Sequence, residues 1–183
     1  MTPAVVHVAS GREWRGGQRQ VWLLARELGR AGLAGQVVVT GAGSELAVRL
    51  MRDDIRVREA RWDSGLDPRV LLPILREVRA GGVLLHAHDA HAVTLAGVVA
   101  ALTGVPLVAT RRVDFHLRRP GFWRRASRVI AVSSAVADVL TDDGVDPARI
   151  QVVHSGIDLD AARRAQPFGL RRQLGLSAET TLA

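Results

Sequence analysis

Cysteine and lysine are both missing from this chain of 183 residues, so its 25 basic side chains are all arginine. Without thiols the protein cannot form disulfides or thiolate metal sites, which fits a reducing compartment. Arginine binds carboxylates and phosphates through two parallel hydrogen bonds, so this composition favours anionic partners. Part of the bias reflects base composition, because arginine codons are rich in guanine and cytosine.

A long apolar run is missing as well. The apolar segment after the first three residues has no basic region before it and is far shorter than the roughly 20 residues of a membrane span. At 48% hydrophobic residues, the chain can nevertheless bury a substantial core. We therefore expect a soluble, cytoplasmic protein.

The net charge of +7 raises the alternative of a basic nucleic-acid-binding module. Tyrosine is absent, and the sequence contains neither a zinc-finger spacing nor a recognisable helix-turn-helix pattern. The arginines are spread over many predicted helices and do not form one stripe. We therefore expect no nucleic-acid partner.

Short apolar runs alternate with longer segments of helical periodicity, a pattern typical of strand-helix-strand units in a parallel sheet. The runs predict seven strands, at Ala4–Ala9, Gln36–Thr40, Arg56–Ala60, Val83–His88, Pro106–Thr110, Arg128–Val132 and Gln151–His154. Helices are predicted between them at Gln18–Ala31, Ser44–Met51, Pro68–Ala80, Ala90–Leu102 and Ser133–Thr141. The predicted fold is α/β, a doubly wound and mostly parallel Rossmann-like sheet with helices on both faces.

We expect residues 1–160 to form one domain. Beyond them the pattern changes to short polar helical segments at 161–165 and 170–174, separated by Pro167. The last four residues, 180–183, are typical of the opening of another strand. We interpret residues 161–183 as a linker and the first residues of a second domain.

The first predicted strand runs into a loop that contains Gly16 and Gly17, and a helix follows directly. A helix N-terminus carries unpaired N–H groups and about half a positive charge, and glycines let a phosphate approach the backbone closely. The loop matches neither the dinucleotide-binding pattern nor the P-loop. Two interpretations stay open: an anion site, or a tight turn in which the glycines supply positive φ.

Several polar residues follow directly on predicted strands, and the carboxyl ends of parallel strands share one edge of the sheet. This rule places at a common edge the Gly16 loop, His88, Asp89, Arg111, Arg112 and Ser133. We therefore expect one ligand site there, and an anionic ligand would suit the two arginines. Pairing of these arginines with Asp114 is the structural alternative.

Three histidines lie close together in the sequence. His86 and His88 are two residues apart on a strand and project to the same side, and His91 belongs to the following turn. They could hold zinc only with further ligands and a favourable turn. His86 is interpreted as a core histidine, and Asp89 either orients His88 or caps the next helix.

Between Arg111 and Arg128, seven arginines stand against a single acid, Asp114. Two aromatic residues are surrounded by four of these arginines, which gives the set Arg118, Arg119, Phe122, Trp123, Arg124 and Arg125. Such a mixture favours an anionic membrane surface, because the rings can enter the interface while the guanidinium groups contact lipid phosphates. This interpretation predicts peripheral contact with the inner face of a membrane. A solvated surface helix with one buried tryptophan is the alternative.

Five segments together resemble the N-terminal half of the retaining GT-B glycosyltransferases of family 4. They are HVASGREWRGGQRQVWLLARELGRAG (7–32), VLLHAHDAH (83–91), VPLVATRRVDF (105–115), RVIAVSSAVADVL (128–140) and IQVVHSGIDLD (150–160). The order and spacing of the segments carry the resemblance, which spans nearly the whole chain.

The resemblance implies two Rossmann-like domains across a cleft, with the acceptor held mainly by the first and the nucleotide sugar mainly by the second. Only the first would be present here, so we expect the fragment to be inactive and to self-associate through the surface that its partner domain would cover. The implied reaction, in cell-envelope glycan or glycolipid synthesis, transfers a sugar to an acceptor hydroxyl with retention and without a metal. A sugar-nucleotide epimerase of the same architecture is the alternative.

The resemblance also implies roles for individual residues. Gly16 and Gly17 correspond to the loop near the donor phosphates, and His88 corresponds to the catalytic-site histidine that contacts the donor sugar near the reacting carbon. The residues expected to bind an anionic sugar or lipid acceptor are Gln18, Asp89, His91, Arg111, Arg112 and Asp114. Gly156 and Asp158 are read as hinge and turn residues at the crossing towards the second domain.

Overall fold

The computed structural model describes residues 4–32, 35–63, 65–165, 169–177 and 179–181. Its strands are β1 (Ala4–Ala9), β2 (Gly35–Gly41), β3 (Val57–Ala60), β4 (Gly82–Ala87), β5 (Leu107–Arg111), β6 (Arg128–Ala131) and β7 (Ile150–Val152). All seven pair in parallel in one sheet, in the order β3-β2-β1-β4-β5-β6-β7. The chain builds outward in one direction from β1 and in the other from β4, so the switch point of this doubly wound sheet lies between these two strands.

The crossovers are helical. The helices are α1 (Gly16–Arg30), α2 (Glu45–Arg52), α3 (Leu71–Arg79), α4 (Ala90–Thr103), α5 (Gly121–Arg125), α6 (Ser134–Asp142), α7 (Leu159–Arg164) and α8 (Leu170–Gln173). Short 3₁₀ turns at Pro68–Val70 and Pro147–Arg149 precede α3 and β7. None of the helices in the described ranges combines the length and the apolar character that a membrane span requires.

Side-chain caps start most of the longer helices. Ser44, Asp89 and Ser133 each accept a hydrogen bond from a backbone N–H in the first turn of α2, α4 and α6, as short polar residues do at this position. The first helix differs, because Arg15 precedes α1 and makes no side-chain cap, and no acidic residue lies in the first turn of α1. The N–H groups at the start of α1 therefore have no capping side chain.

The core has two parts, one on each face of the sheet. On one face, Val6, Val8 and Leu85 pack with residues of α3, α4 and α6. On the other face, Val38 packs with residues of α1 and α2. Side chains alternate along a strand, so His7, His86 and His88 belong to the face that α1 covers.

The predicted fold class is confirmed, and the seven predicted strands lie within two residues of those observed. Three differences are informative. Helix α1 begins at Gly16, two residues before the predicted start, so both glycines are in its first turn. Helix α5 was not among the predicted helices, because five residues are too few to show helical periodicity. The strand expected at 180–183 lies partly outside the described residues, and Thr180 and Thr181 are not in a strand.

Candidate functional site

A cleft of about 840 Å³ opens at the carboxyl edge of the sheet, beside the switch point between β1 and β4. Its walls are the loop after β1, the first turns of α1 and α4, the residues after β5 and the segment 155–157. We call it the glycine-loop cleft. The structure brings together in its lining the predicted residues Gly16, Gly17, Gln18, His88, Asp89, His91, Arg111 and Arg112. Ser133 instead caps α6 and does not line the cleft.

The conformation of Gly16 and Gly17 decides between the two interpretations of their loop. Neither glycine has a positive φ, so a tight turn does not explain them. A Cβ added at either position would meet no atom within 4 Å, so packing within the fold does not require glycine there either. What remains is open space in front of an uncapped helix N-terminus, which is the arrangement that binds anions.

Gln18 and Asp89 have defined positions at the rim. An ideal Cβ at Gly11 would overlap with Gln18 Nε2, so the Gln18 side chain occupies the space over that glycine. Asp89 accepts hydrogen bonds from Ser10 N (2.7 Å), Ser10 Oγ (2.6 Å) and Ala92 N (3.0 Å). Asp89 therefore caps α4 and also holds the loop after β1 against the end of β4.

A cluster of three buried histidines lies behind the cleft. His7 Nδ1 is 3.0 Å from His88 Nε2, and His86 Nε2 is 2.8 Å from Thr110 Oγ1. The rings of His86 and His88 are 4.0 Å apart at their centroids. His7 Nε2 and His88 Nδ1 are buried and have no hydrogen-bond partner among the described residues. His88 thus reaches the cleft lining from a tightly packed imidazole cluster.

Burial keeps these imidazoles neutral. It lowers the pKa of His7 to about 4 and is the largest cause that lowers the pKa of His86 to about 3. The pKa of His88 is also well below its usual value, first because of burial and then because of the neighbouring imidazoles and Arg112. The cluster is therefore uncharged at neutral pH and acts through hydrogen bonds.

The arrangement of the three histidines bears on the expectation that no metal is bound. Nitrogen atoms of His7, His86 and His88 lie within 4.8 Å of one another, close enough to suggest a three-histidine site. However, the positive charge of Arg112 acts on both His86 and His88, and no carboxylate belongs to this group among the described residues. Three histidines can serve as the protein ligands of zinc, and Asp89 offsets part of the Arg112 charge, so the expected absence of a metal stays a prediction.

Arg111 is the last residue of β5 and Arg112 follows it, and their side chains take different positions. Arg112 donates to the carbonyl of His88 at 2.8 Å, and burial lowers the pKa of Arg112 while Asp89 opposes this. Arg111 donates to the carbonyls of Val113 (3.0 Å) and Phe115 (2.5 Å). Neither forms an ion pair with a carboxylate in the part of the chain that the structure describes.

A second pocket of about 550 Å³ adjoins the cleft and shares Ala90, His91, Arg111, Val113 and Trp123 with it. Its other lining residues are Thr94, Phe115, His116, Leu117, Arg118 and Arg119. We call it the arginine pocket. Asp114 lines neither pocket, although it lies between two residues that do.

The two rings expected at a membrane surface point inward, which corrects that prediction. Trp123 is 2% exposed and belongs to the main core, where Arg111 lies 5.7 Å from its ring centroid. Phe122 packs against Gly97 of α4, where an added Cβ would overlap with the ring. Burial of apolar area favours this packing over exposure. The alternative of a short surface helix with one buried tryptophan describes α5 correctly.

The remaining members of that set lie at the surface. Arg118 and Arg119 line the arginine pocket, Arg124 donates to the carbonyl of Asp143 at 2.8 Å, and Arg125 is exposed. The exposed aromatic residue of this segment is Phe115, at 71%.

The segment expected to act as a hinge is bonded to α1. Gln20 donates to the carbonyl of Gly156 (2.8 Å) and accepts from its N–H (2.9 Å). Two residues further along, Asp158 accepts from Ala161 N at 2.9 Å and pairs with Arg26 at 2.9 Å. The crossing segment and the glycine-bearing helix are therefore held together by two separate contacts.

His7 and Gln20 are functional candidates that the sequence did not reveal. His7 faces His86 across the β1–β4 pairing, and only the strand order brings the two together. A histidine inside a run of apolar residues was the available signal. Gln20 contacts Gly156, which is 136 residues away, and nothing in the local sequence indicates this contact.

The sheet order, the uncapped glycine-led helix at the switch point and the cleft beside it define a Rossmann-like domain of the GT-B kind. The family model Glycosyltransferase Family 4 matches residues 14–161. The chain belongs to this family.

Solved structures of low sequence identity share the fold. Alr3699/HepE of Anabaena, in complex with UDP and glucose, is 19% identical with a TM-score of 0.71, over 94% of this chain and 50% of that one. A glycosyltransferase from Rickettsia africae is 16% identical with a TM-score of 0.74, over 97% and 51%. A putative UDP-N-acetylglucosamine 2-epimerase from Listeria monocytogenes is 13% identical with a TM-score of 0.65, over 96% and 52%.

The chain thus spans about half the length of these solved structures. A search of curated proteins found no match.

Proposed function

We propose that this chain is the acceptor-binding domain of a retaining glycosyltransferase, which transfers a sugar from a nucleotide sugar to the hydroxyl of an anionic sugar or lipid acceptor in the synthesis of cell-envelope glycans or glycolipids. The observation that carries the proposal is the uncapped, glycine-led N-terminus of α1 at the switch point, open to the cleft. Family membership and structural neighbours in complex with UDP and with UDP-glucose support it.

In this proposal the two sides of the cleft have different tasks. The N–H groups of α1 stabilise the donor diphosphate as negative charge develops on it, and Gly16 and Gly17 let it approach. The half-buried Arg112 and the adjacent Arg111 orient the acceptor. The donor domain would follow this chain, and no metal takes part because the charge is stabilised by the helix and the arginines.

His88 acts as a neutral positioning group. Its imidazole is held by His7 and belongs to the cleft lining, so it can hold a sugar hydroxyl in place through a hydrogen bond. Because burial lowers its pKa well below the usual value, His88 is a poor proton acceptor at neutral pH. As the resemblance to the family implies, the proton of the acceptor hydroxyl goes in this proposal to the leaving phosphate oxygen on the same face of the sugar.

The reaction type can be tested with a two-domain protein that contains this chain. With UDP-glucose as the first donor offered and extracts of cell-envelope acceptors, we expect a product whose glycosidic bond keeps the α configuration of the donor, measured by NMR of the anomeric proton. Residues 1–183 alone should show no transfer. A β-linked product would refute retention, and robust turnover by the isolated chain would refute its role as an acceptor half.

A glycine substitution separates a binding role for the loop from a structural role. Gly17→Ala should leave the free energy of unfolding unchanged or raise it by up to about 1 kcal/mol, since the backbone is helical and the space is open. In the two-domain protein it should raise KM for the nucleotide sugar roughly tenfold, because the added methyl group obstructs the phosphate.

Gly29→Ala is the matched control for this substitution. Gly29 belongs to the same helix, outside the cleft lining, and an added Cβ there meets only the flexible Gln36 side chain at 3.4 Å. It should change stability in the same direction and leave KM unaltered. An unchanged KM in Gly17→Ala would contradict the proposed phosphate contact.

A sugar-nucleotide 2-epimerase is the second candidate, because the fold of this chain is also similar to that of the Listeria protein. The same experiment separates the two functions. An epimerase would interconvert the nucleotide sugar without any acceptor, and a transferase would form a new glycosidic bond only when an acceptor is added.

A further inference from the structure

The arginine pocket carries positive charge that the fold does not neutralise. Elsewhere in the described ranges, ion pairs with carboxylates hold the arginines Arg15, Arg26, Arg30, Arg49, Arg56, Arg58, Arg61, Arg69 and Arg149. None of the seven arginines between 111 and 128 is in this group, although the chain has other acids within reach of that region, such as Asp143. Other described arginines, such as Arg163 and Arg164, also lack an ion pair, so what distinguishes this segment is the number of such arginines on one short stretch of chain beside a pocket.

The fold holds Arg111 in place at the boundary between the pocket and the cleft. Its Nε and Nη2 donate to two backbone carbonyls of the same loop, at 3.0 and 2.5 Å, and its guanidinium lies over the buried ring of Trp123. Carbonyl oxygens fix the orientation of the group but do not cancel its charge. A fixed, half-buried cation without a carboxylate partner favours an external anion.

The acids nearest to the pocket do not fill this role. Asp143 acts on Arg111 at longer range, but its oxygens already accept from Leu117 N (2.6 Å) and lie 2.9 Å from His116 Nδ1. The charge of Asp114 also acts on Arg111, but Asp114 is exposed, forms no ion pair with Arg111 and does not line the pocket. No carboxylate is among the lining residues, whereas Arg111, Arg118, Arg119, His91 and His116 are.

The shape of the pocket suits a small phosphorylated group. Its volume of about 550 Å³ is within the range of small-molecule sites. One part of the lining is apolar and consists of Trp123, Val113 and Leu117. The arginine and histidine side chains form most of the charged and polar lining around it. Three guanidinium groups carry more positive charge than one carboxylate would neutralise, and their N–H donors match the several acceptor oxygens of a phosphate.

We infer that the arginine pocket binds a phosphate ester of the acceptor, with Arg111, Arg118 and Arg119 as its ligands. The inference rests on the proposed function, because it takes the neighbouring cleft as the place of the reacting hydroxyl. The shared residues Ala90, His91 and Arg111 then place that hydroxyl next to the bound phosphate. An acceptor without a phosphate would lack this second point of attachment.

The test is a titration of the 183-residue chain with glucose 6-phosphate, followed by NMR of the backbone amides of 113–119, with glucose as the uncharged control. We expect saturable shifts with the phosphate only. The double variant Arg118→Gln/Arg119→Gln should raise Kd about tenfold or more, because charge-assisted hydrogen bonds are lost. Short-chain phosphatidylglycerol, kept below its micelle concentration, is titrated in parallel as the lipid source of the same phosphate chemistry.

Arg163→Gln/Arg164→Gln is the matched control, since it removes two adjacent and exposed arginines of α7 that do not line the pocket. If glucose 6-phosphate saturates the chain and only the pocket variant weakens its binding, the inference is supported and the phosphate belongs to a soluble acceptor. If only the lipid saturates the chain, and again only the pocket variant weakens binding, the inference is supported and the phosphate belongs to a lipid acceptor. Equal weakening by both variants, or no saturation by either probe, overturns it.

This experiment does not depend on sugar transfer. Phosphate binding without transfer in the two-domain protein would refute the proposed function and leave the phosphate site standing. Transfer without phosphate binding would refute the phosphate site alone.

Discussion

Replacing Trp123 by alanine is expected to lower the free energy of unfolding by about 3–5 kcal/mol, the usual cost of removing a large buried aromatic ring. The ring is 2% exposed and belongs to the main core cluster. A loss of this size is a large fraction of the stability of a domain of this kind. Urea denaturation followed by circular dichroism measures it.

Phe115→Ala is the control for this variant, because Phe115 is an aromatic residue of the same region that is 71% exposed. It should change the free energy of unfolding by no more than about 0.5 kcal/mol. A membrane-inserting Trp123 would give the opposite pattern, with loss of vesicle binding and nearly unchanged stability for Trp123→Ala. That outcome would contradict the inward packing of the ring.

Acid is expected to destabilise the protein strongly through His7, His86 and His88. Their pKa values in the folded state are below the usual 6.5, at about 4 for His7 and about 3 for His86. Below pH 6.5 the unfolded chain therefore binds protons that the folded chain excludes, and stability falls as the pH falls towards those values. Above pH 6.5 both states are neutral and this effect is absent.

The size of this loss of stability in acid follows from the number of protons that the folded state excludes. Each histidine that stays neutral in the folded state makes the free energy of unfolding about 2 kcal/mol lower at pH 5 than at pH 7, so three give about 6 kcal/mol. Denaturant titrations between pH 7 and pH 5 measure the slope. Most carboxylates titrate below this range, so the histidines dominate it.

Single substitutions identify the histidines that cause this pH dependence of the free energy of unfolding. His7→Gln and His86→Gln should each remove about one third of the pH dependence, whatever their effect on stability at pH 7. Phe115→Ala removes an exposed side chain without a titratable group and should leave the slope at its original value. A slope that is the same in all of these variants would mean that the cluster takes up protons without unfolding.

Local sequence patterns were enough to predict the fold and part of the candidate site. The alternation of apolar runs with helical periodicity predicted the sheet, and the rule that strand ends share an edge brought His88, Asp89 and Arg112 to one cleft. Both arguments use only neighbouring residues. Asp67 and Ser133 accept hydrogen bonds from backbone N–H groups at the start of the 3₁₀ turn before α3 and of α6, as short polar residues do at such positions.

The features that were missed depend on contacts between distant parts of the chain. Gly16 and Gly17 were located correctly, but only the backbone angles exclude the turn interpretation. The membrane interpretation placed Trp123 at the surface because its neighbours in the sequence are charged, and the sequence did not decide between it and the alternative with a buried tryptophan. The burial of Trp123 depends on packing in the main core with residues such as Leu107 of β5. His7 joins the histidine cluster through strand order, which composition and periodicity do not encode.

The pair of hydrogen bonds between Gln20 and Gly156 has a mechanical consequence. The backbone at Gly156 cannot rotate freely while both of its polar groups are bonded to one side chain of α1. A displacement of residues 155–158 must therefore either break the pair or pull on the first turns of α1, which carry Gly16 and Gly17. The position of the crossing segment is in this way coupled to the position of the glycines at the mouth of the cleft through the side chain of Gln20.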